Sequence, residues 1–303
     1  MSVNAFALTS RSTSTTFGLR ARRHHARRRP GIRANARAND ESTVEAPRAL
    51  EDALAGAARA CARARRARKS AKSKPFRACI ELPLADSSDS SALALAQSVV
   101  GKNASEATCV FGTRSARDEA LRRRSEYEAI DVNEEWGIEK ARARKGVIVF
   151  VGVSEKDVSA AAKKCEEGGE RECAAANVEW AHDGDGGKSF SAKVKKANAT
   201  EAFANSFTVV YSFLPLKIDI AWGSSLEGAV FKRVEDGNVE DEPWRVLVKE
   251  GGKFEQVGAM QRRPQQGDIE AALYNSIAAK SPVNKGVGFL SEAARGLFGR
   301  DRK

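Results

Sequence analysis

Five cysteines, at positions 61, 79, 109, 165 and 173, are the most nucleophilic side chains in the chain, and no two of them make a CxxC pair. His24 and His25 sit in an arginine-rich leading segment, which leaves His182 as the one imidazole in the body of the sequence. A zinc site or a Cys-His nucleophile pair would have to draw on that single ring, which argues against both. Cys79 and Cys109 lie inside apolar runs, the setting of a buried inert thiol. Cys165 and Cys173 flank Gly168-Gly169 and could pair with each other.

Other constellations fall short of chemistry when their spacing is checked. The run His182-Asp183-Gly184-Asp185-Gly186-Gly187 resembles a calcium loop. It places Gly187 where an oxygen ligand should stand and Val194 where the bidentate acid should close the loop, so it reads as a surface loop. Glu134-Glu135 and Glu166-Glu167 are neighbours in sequence and point apart on a helix, unlike an acid and base sharing a substrate. Gly152-Val153-Ser154 follows a strand-like run and precedes a helix start, where free N–H groups can hold a phosphate. Neither a GxGxxG pattern nor a P-loop lysine follows it. No catalytic residue, cofactor or metal is therefore assigned.

The elements that must position these residues alternate in type. Pro47 opens a helical pattern with Leu50, Leu54, Ala57, Cys61 and Ala64 on one side and Arg59, Arg63 and Arg66 on the other. That basic side is either a solvated face or a docking patch for anionic headgroups or an acidic partner. Arg77 to Leu84 reads as a strand ended by Pro83, followed by a helix from about Ala92 to Val100 and a strand from Ala107 to Gly112. After a charged helix through Arg124, Glu128 to Val132 is a weak strand candidate. Gly146 to Val153 is apolar over its length, as suits a parallel strand covered on both faces. Ser154 and Asp157 then make a capping-box-like start to a helix with Val158, Ala161, Ala162 and Cys165 inward, and Ala174 to Trp180 returns to the sheet. From Phe207 the apolar residues alternate to Leu214, with a break expected at Pro215 and a turn at Trp222-Gly223-Ser224-Ser225. Ala229 to Val234, Trp244 to Lys249 and Phe254 to Met260 follow as an antiparallel meander, its last hairpin turning on Gly251-Gly252. The fold class predicted is α/β, a three-layer doubly wound mixed sheet with a C-terminal antiparallel meander, as one domain over 47–280.

Both ends carry their own signals. Residues 1–39 hold nine arginines and no acid, are crowded with Ser and Thr, and contain no sustained apolar run. That composition predicts an organelle transit peptide, cleaved near Ala34; the alternative is a basic arm that binds nucleic acid. Those arginines supply most of the formal charge of +11, and without them it is +2. A mature chain so close to neutral has no global field drawing it onto nucleic acid, so no such partner is expected. Over 281–303, Phe289, Leu290 and Leu297 recur at helical spacing among basic residues, as in an amphipathic helix lying on an anionic bilayer or a frayed tail. No stretch is long and apolar enough to span a membrane.

Several short runs, taken in order, resemble a known family. They are Pro47 to Leu54, Arg77 to Leu84, Ala176-Asn177 ahead of Trp180, Phe207 through Tyr211 to Leu216, Pro243-Trp244 and Arg263-Pro264. This series is similar to the signposts of a domain-of-unknown-function family of plant and algal plastids and cyanobacteria, the one that includes the Low PSII Accumulation protein 3 type. The resemblance covers residues 47 to 278. It implies a chloroplast stromal factor, without agreed catalytic residues, that assists photosystem II assembly at the thylakoid through a protein client. Related domains beside adenylate kinase domains imply the alternative, a nucleotide- or phosphoester-binding enzyme of the plastid. The chain differs from the family pattern in its Arg-rich first helix, its 183–187 loop and the acidic stretch Gly237 to Glu242.

Overall fold

The structure is a computed structural model, and it describes residues 45–69, 75–82, 88–169, 171–180, 198–220, 224–235, 239 and 241–280. The expected transit segment, the 183–187 loop with His182, and the tail with Phe289, Leu290 and Leu297 lie outside the described residues.

The elements in chain order are α1 (Leu50–Lys69), β1 (Arg77–Glu81), α2 (Asp89–Val100), β2 (Thr108–Phe111), α3 (Arg114–Arg122), β3 (Glu128–Asp131), α4 (Ile138–Ala143), β4 (Ile148–Val151), α5 (Val158–Glu167), β5 (Cys173–Ala176), α6 (Asn198–Ala204), β6 (Thr208–Ile220), β7 (Ser224–Arg233), β8 (Trp244–Glu250), β9 (Lys253–Met260) and α7 (Gln266–Lys280). All described strands join one sheet in the order β3-β2-β4-β5-β1-β6-β7-β8-β9. Pairing is parallel from β3 to β6 and antiparallel from β6 to β9.

The period-two side-chain direction of a strand divides the apolar residues into two cores. Cys109, Phe111, Val149, Val151, Ala174 and Ala176 face the core beneath α1, α2 and α3. Val110, Ile148, Phe150, Cys173 and Ala175 face the opposite core, beneath α4, α5 and α6. This is the three-layer doubly wound arrangement, with the sheet buried between two helical layers. The stripe of α1 that packs down consists of small residues, Ala53, Gly56, Ala57, Ala60, Cys61 and Ala64, while Leu50 and Leu54 are only half-buried. Small side chains let the helix lie close to β6. A Cβ on Gly56 would come within 2.9 Å of the Tyr211 ring.

Several boundaries differ from the sequence reading for identifiable reasons. Strand β6 does not break at Pro215, which pairs with Ala229 of β7. Its last β1 partner is Ser212, and beyond that residue no described strand pairs with β6 on that side, where a missing N–H is tolerated. Strand β7 begins at Ser224, within the expected turn. Helix α2 begins at Asp89, three residues before the expected start, because Ser88 caps it by accepting from the Ser91 N–H. The strand expected over Ala174 to Trp180 ends at Ala176, since Asn177 takes a positive φ of 50°. Helices α4 and α6 were not anticipated. The Gly251-Gly252 hairpin forms as read, with φ of 56° and 81°.

Candidate functional site

In doubly wound sheets ligands gather outside the carboxyl ends of adjacent parallel strands whose connections leave on opposite faces. Such crevices occur here between β3 and β2, between β2 and β4 and between β5 and β1, and hydrogen bonds between strands close each of them. After β3, the Val132 N–H donates to the Phe111 carbonyl at 2.9 Å. After β2, Gly112 donates its N–H to Val151 at 3.0 Å, and a Cβ on Gly112 would drive into the Gly152 carbonyl. After β5, the Asn177 side chain donates to the Leu82 carbonyl and accepts from the Leu82 N–H, each at 2.7 Å. It thereby extends the ladder past the end of β1.

The helix start at Ser154 is also engaged. Its hydroxyl donates to the Asp157 carboxylate at 2.6 Å, and the Glu155 N–H donates to the Glu179 carboxylate at 3.1 Å. A 3-10 turn over Glu155–Asp157 precedes α5, and Ser154 makes no side-chain cap of the helix, contrary to the capping box expected there. Two carboxylates beside these N–H groups make the position repel a phosphate rather than attract one.

At the opposite end of the sheet a cavity of about 860 Å³ opens between α5, α6 and the amino ends of β1 and β6. Arg77, Lys163, Cys165, Glu166, Ser206 and Thr208 are among its lining residues. Arg77, the first residue of β1, donates to the Ser206 hydroxyl at 2.6 Å and to the Cys165 sulfur at 3.7 Å. Its guanidinium lies 5.1 Å from the Phe203 ring centre and 5.9 Å from that of Phe207, which holds its plane. The rings themselves pack against Trp180 and against each other. Behind Cys165, the Cys173 sulfur lies 3.3 Å away. Hydrogen bonding from the Cys173 thiol, together with the nearby Arg77 charge, outweighs burial and brings Cys165 down to about 7. Cys173 is held well above the ordinary thiol range by the same hydrogen bond and by its burial. All five cysteines are free and buried; burial pushes Cys61 up and Cys109 further up.

The predicted basic face is real as a surface. Arg59, Arg63 and Arg66 are exposed along α1, and among the described residues no carboxylate is in ion-pairing reach of them. Arg65 is turned inward instead, paired with Glu172 at 2.9 Å. One acid of each pair noted in the sequence is ion-paired. Glu167 receives Lys163 and Lys164, and Glu134 receives Arg117.

Four of the runs that carry the family resemblance meet in space. The Arg263 guanidinium pairs with Glu81 at 2.7 Å and lies 5.4 Å from the Trp244 ring centre. Ser212 donates to the same Glu81 at 2.6 Å. Arg171, unremarked in the sequence, is buried and donates to the carbonyls of Gly146 and Ala141 at 2.6 and 3.0 Å. Burial lowers its pKa, and it pins α4 to the amino ends of β2 and β4. Neither arginine advertises its role locally, because every partner is distant in sequence.

The class defined by this geometry is a three-layer α/β protein whose described polar clusters knit strands together, with one thiol-lined cavity and one basic helix face. The chain belongs to the family described as Domain of unknown function (DUF1995), which matches residues 47–271. No curated protein and no solved structure matches the chain.

Proposed function

We propose that this protein is a non-catalytic chloroplast stromal factor of the Low PSII Accumulation protein 3 type, which assists photosystem II assembly by docking to a protein client at the thylakoid. The observation that carries this reading is the α1 surface, where Arg59, Arg63 and Arg66 stand exposed while Arg65 alone is tied to the sheet layer. Three guanidinium groups on one face suit an acidic client segment, with anionic lipid headgroups as a peripheral contact. The arginine-rich, acid-free leader supports the plastid address. The competing reading, an enzyme acting on a nucleotide or phosphoester, is disfavoured at Ser154 by the carboxylates of Asp157 and Glu179.

The test is affinity capture from solubilised plastid membranes with the wild-type chain and with Arg59→Glu/Arg63→Glu/Arg66→Glu. Photosystem II subunits held by the first and lost by the second support the proposal. Equal recovery by both overturns the role of α1, and recovery of no photosystem subunit by either overturns the assembly reading. A nucleotide panel in a thermal-shift assay gives the enzyme reading its chance, since a true ligand at about a hundred times its dissociation constant adds about 2.7 kcal/mol.

A further inference from the structure

Cys165 and Cys173 differ from the other three cysteines in placement. Cys165 lies in the last turn of α5 and lines the cavity; Cys173 opens β5 behind it, and their sulfurs are 3.3 Å apart. A disulfide has its sulfurs about 2.0 Å apart, so a bond between them needs a movement of little more than an ångström. A short turn brings the two together, α5 ending at Gly168-Gly169 with Gly169 at φ 73°. The cavity offers Arg77 and Lys163 as cations, with Glu166 as the carboxylate beside them, and Ser206 and Thr208 as hydroxyls. Its volume of about 860 Å³ is within the range of small-molecule sites.

We propose that Cys165 and Cys173 are a reactive dithiol that exchanges with a small, carboxylate-bearing disulfide of the glutathione class seated in this cavity. Cys165, facing the cavity beside the Arg77 charge, attacks as thiolate on one sulfur of the disulfide. The S–S bond of the ligand breaks, one glutathione leaves as its thiolate and takes up the proton Cys165 has lost, and a Cys165–glutathione mixed disulfide remains. Cys173 then attacks the Cys165 sulfur, its nearest neighbour. The second glutathione leaves with the proton from Cys173. One ligand disulfide is reduced to two thiols, and two protein thiols are oxidised to one disulfide. Arg77 and Lys163 face the carboxylates of the ligand, while Cys173, fully enclosed, has the Cys165 sulfur and the Arg171 carbonyl as its partners.

The test uses the full chain with glutathione disulfide as probe, acid quenching, alkylation of the remaining thiols and peptide mass mapping. The expected result is a Cys165–Cys173 bond, with Cys61, Cys79 and Cys109 still alkylatable after unfolding. Cys173→Ser should stop at glutathione on Cys165, and Cys165→Ser should take up none. Native Cys165, the thiol that lines the cavity beside Arg77, should also be alkylated by iodoacetamide ahead of the other four cysteines, and Arg77→Gln should slow it. A wild-type chain that keeps five thiols in excess glutathione disulfide overturns the proposal, as does oxidation that joins any other pair. Lasting glutathione on wild-type Cys165 with no internal bond overturns the role of Cys173. The wild-type measurements decide the main point even if a serine variant does not fold.

Discussion

Replacing Trp244 by alanine tests whether the antiparallel half of the sheet is core or covering. The ring is fully buried in the core beneath α7, with the Lys232 ammonium 5.3 Å and the Arg263 guanidinium 5.4 Å from its centre. Truncating a buried aromatic residue costs about 3–5 kcal/mol. Loss of the ring face to the two cations adds about 0.5–1 kcal/mol each, so the expected loss is roughly 4–7 kcal/mol. A domain of this kind holds about 5–15 kcal/mol in total, which puts the variant near its folding threshold. Urea unfolding followed by far-ultraviolet circular dichroism reads this without depending on the missing indole. With a slope of about 2–3 kcal/mol per molar urea, the midpoint should fall by roughly 1.5 M or more. Trp244→Phe, which keeps a ring between the cations, should lose less than half as much. Tyr274→Ala is the control, because Tyr274 is 74% exposed on α7 and should change stability by no more than about 0.5 kcal/mol. A Trp244→Ala midpoint within error of the Tyr274→Ala midpoint would refute this assignment of the meander to the core.

Other perturbations follow from equally specific contacts. Gly112→Ala should destabilise strongly, because its Cβ meets the Gly152 backbone, whereas at Gly168 the new Cβ meets mainly the movable end of Ile148; denaturation midpoints should separate the two variants clearly. Asn177→Ala should cost about 2–3 kcal/mol, through two lost hydrogen bonds and a residue left at positive φ, with faster hydrogen exchange at the Leu82 amide. Burial raises Tyr211 to about 12, so its contribution to stability is present below about pH 10 and is lost as pH rises through about 12. The wild type should therefore lose roughly 2–3 kcal/mol relative to Tyr211→Phe across that window, read by denaturant titrations at each pH. Intact-mass measurement of the protein from its organelle should find the mature chain starting between Arg33 and Asn39, and a retained Met1 would refute cleavage there.

What the sequence revealed was what local periodicity encodes. The alternation from Phe207 to Leu214, the apolar run of β4, the glycine pair at 251 and 252 and the divided faces of α1 each follow from neighbours a few residues apart. Pro215 misled because its tolerance depends on where β1 stops alongside it, a fact of sheet order rather than of the strand. Helix α6 has seven residues and is held by Phe203 and Ala204 packing into the core, too short a pattern to read alone. The thiol pair was visible as two cysteines around two glycines. Its cation was not, because Arg77 reaches Cys165 across 88 positions of sequence. Glu81 and Arg263 meet across 182.

The two ends of the parallel sheet are treated differently, and that difference organises the functional argument. At the carboxyl ends, the Val132–Phe111 bond, Gly112 against Gly152 and the Asn177 clamp on Leu82 join the strands across all three crevices. A ligand there would have to break hydrogen bonds between strands, at about 1 kcal/mol or more for each bond left unmade. At the amino ends, a cavity beside α5 and α6 is lined by Arg77 and Cys165, with Cys173 enclosed behind Cys165. Neither bond there is part of the β-ladder, so the Arg77 side chain can turn and Cys165 can change partner without opening the sheet. The proposed chemistry at Cys165 and the proposed docking at α1 would therefore make separable demands on the fold. Glu172 ties the two regions through one short link, since it pairs with Arg65 of α1 and immediately precedes Cys173. Any shift of Cys173 on oxidation would be felt first at that ion pair, on the helix that presents Arg59, Arg63 and Arg66.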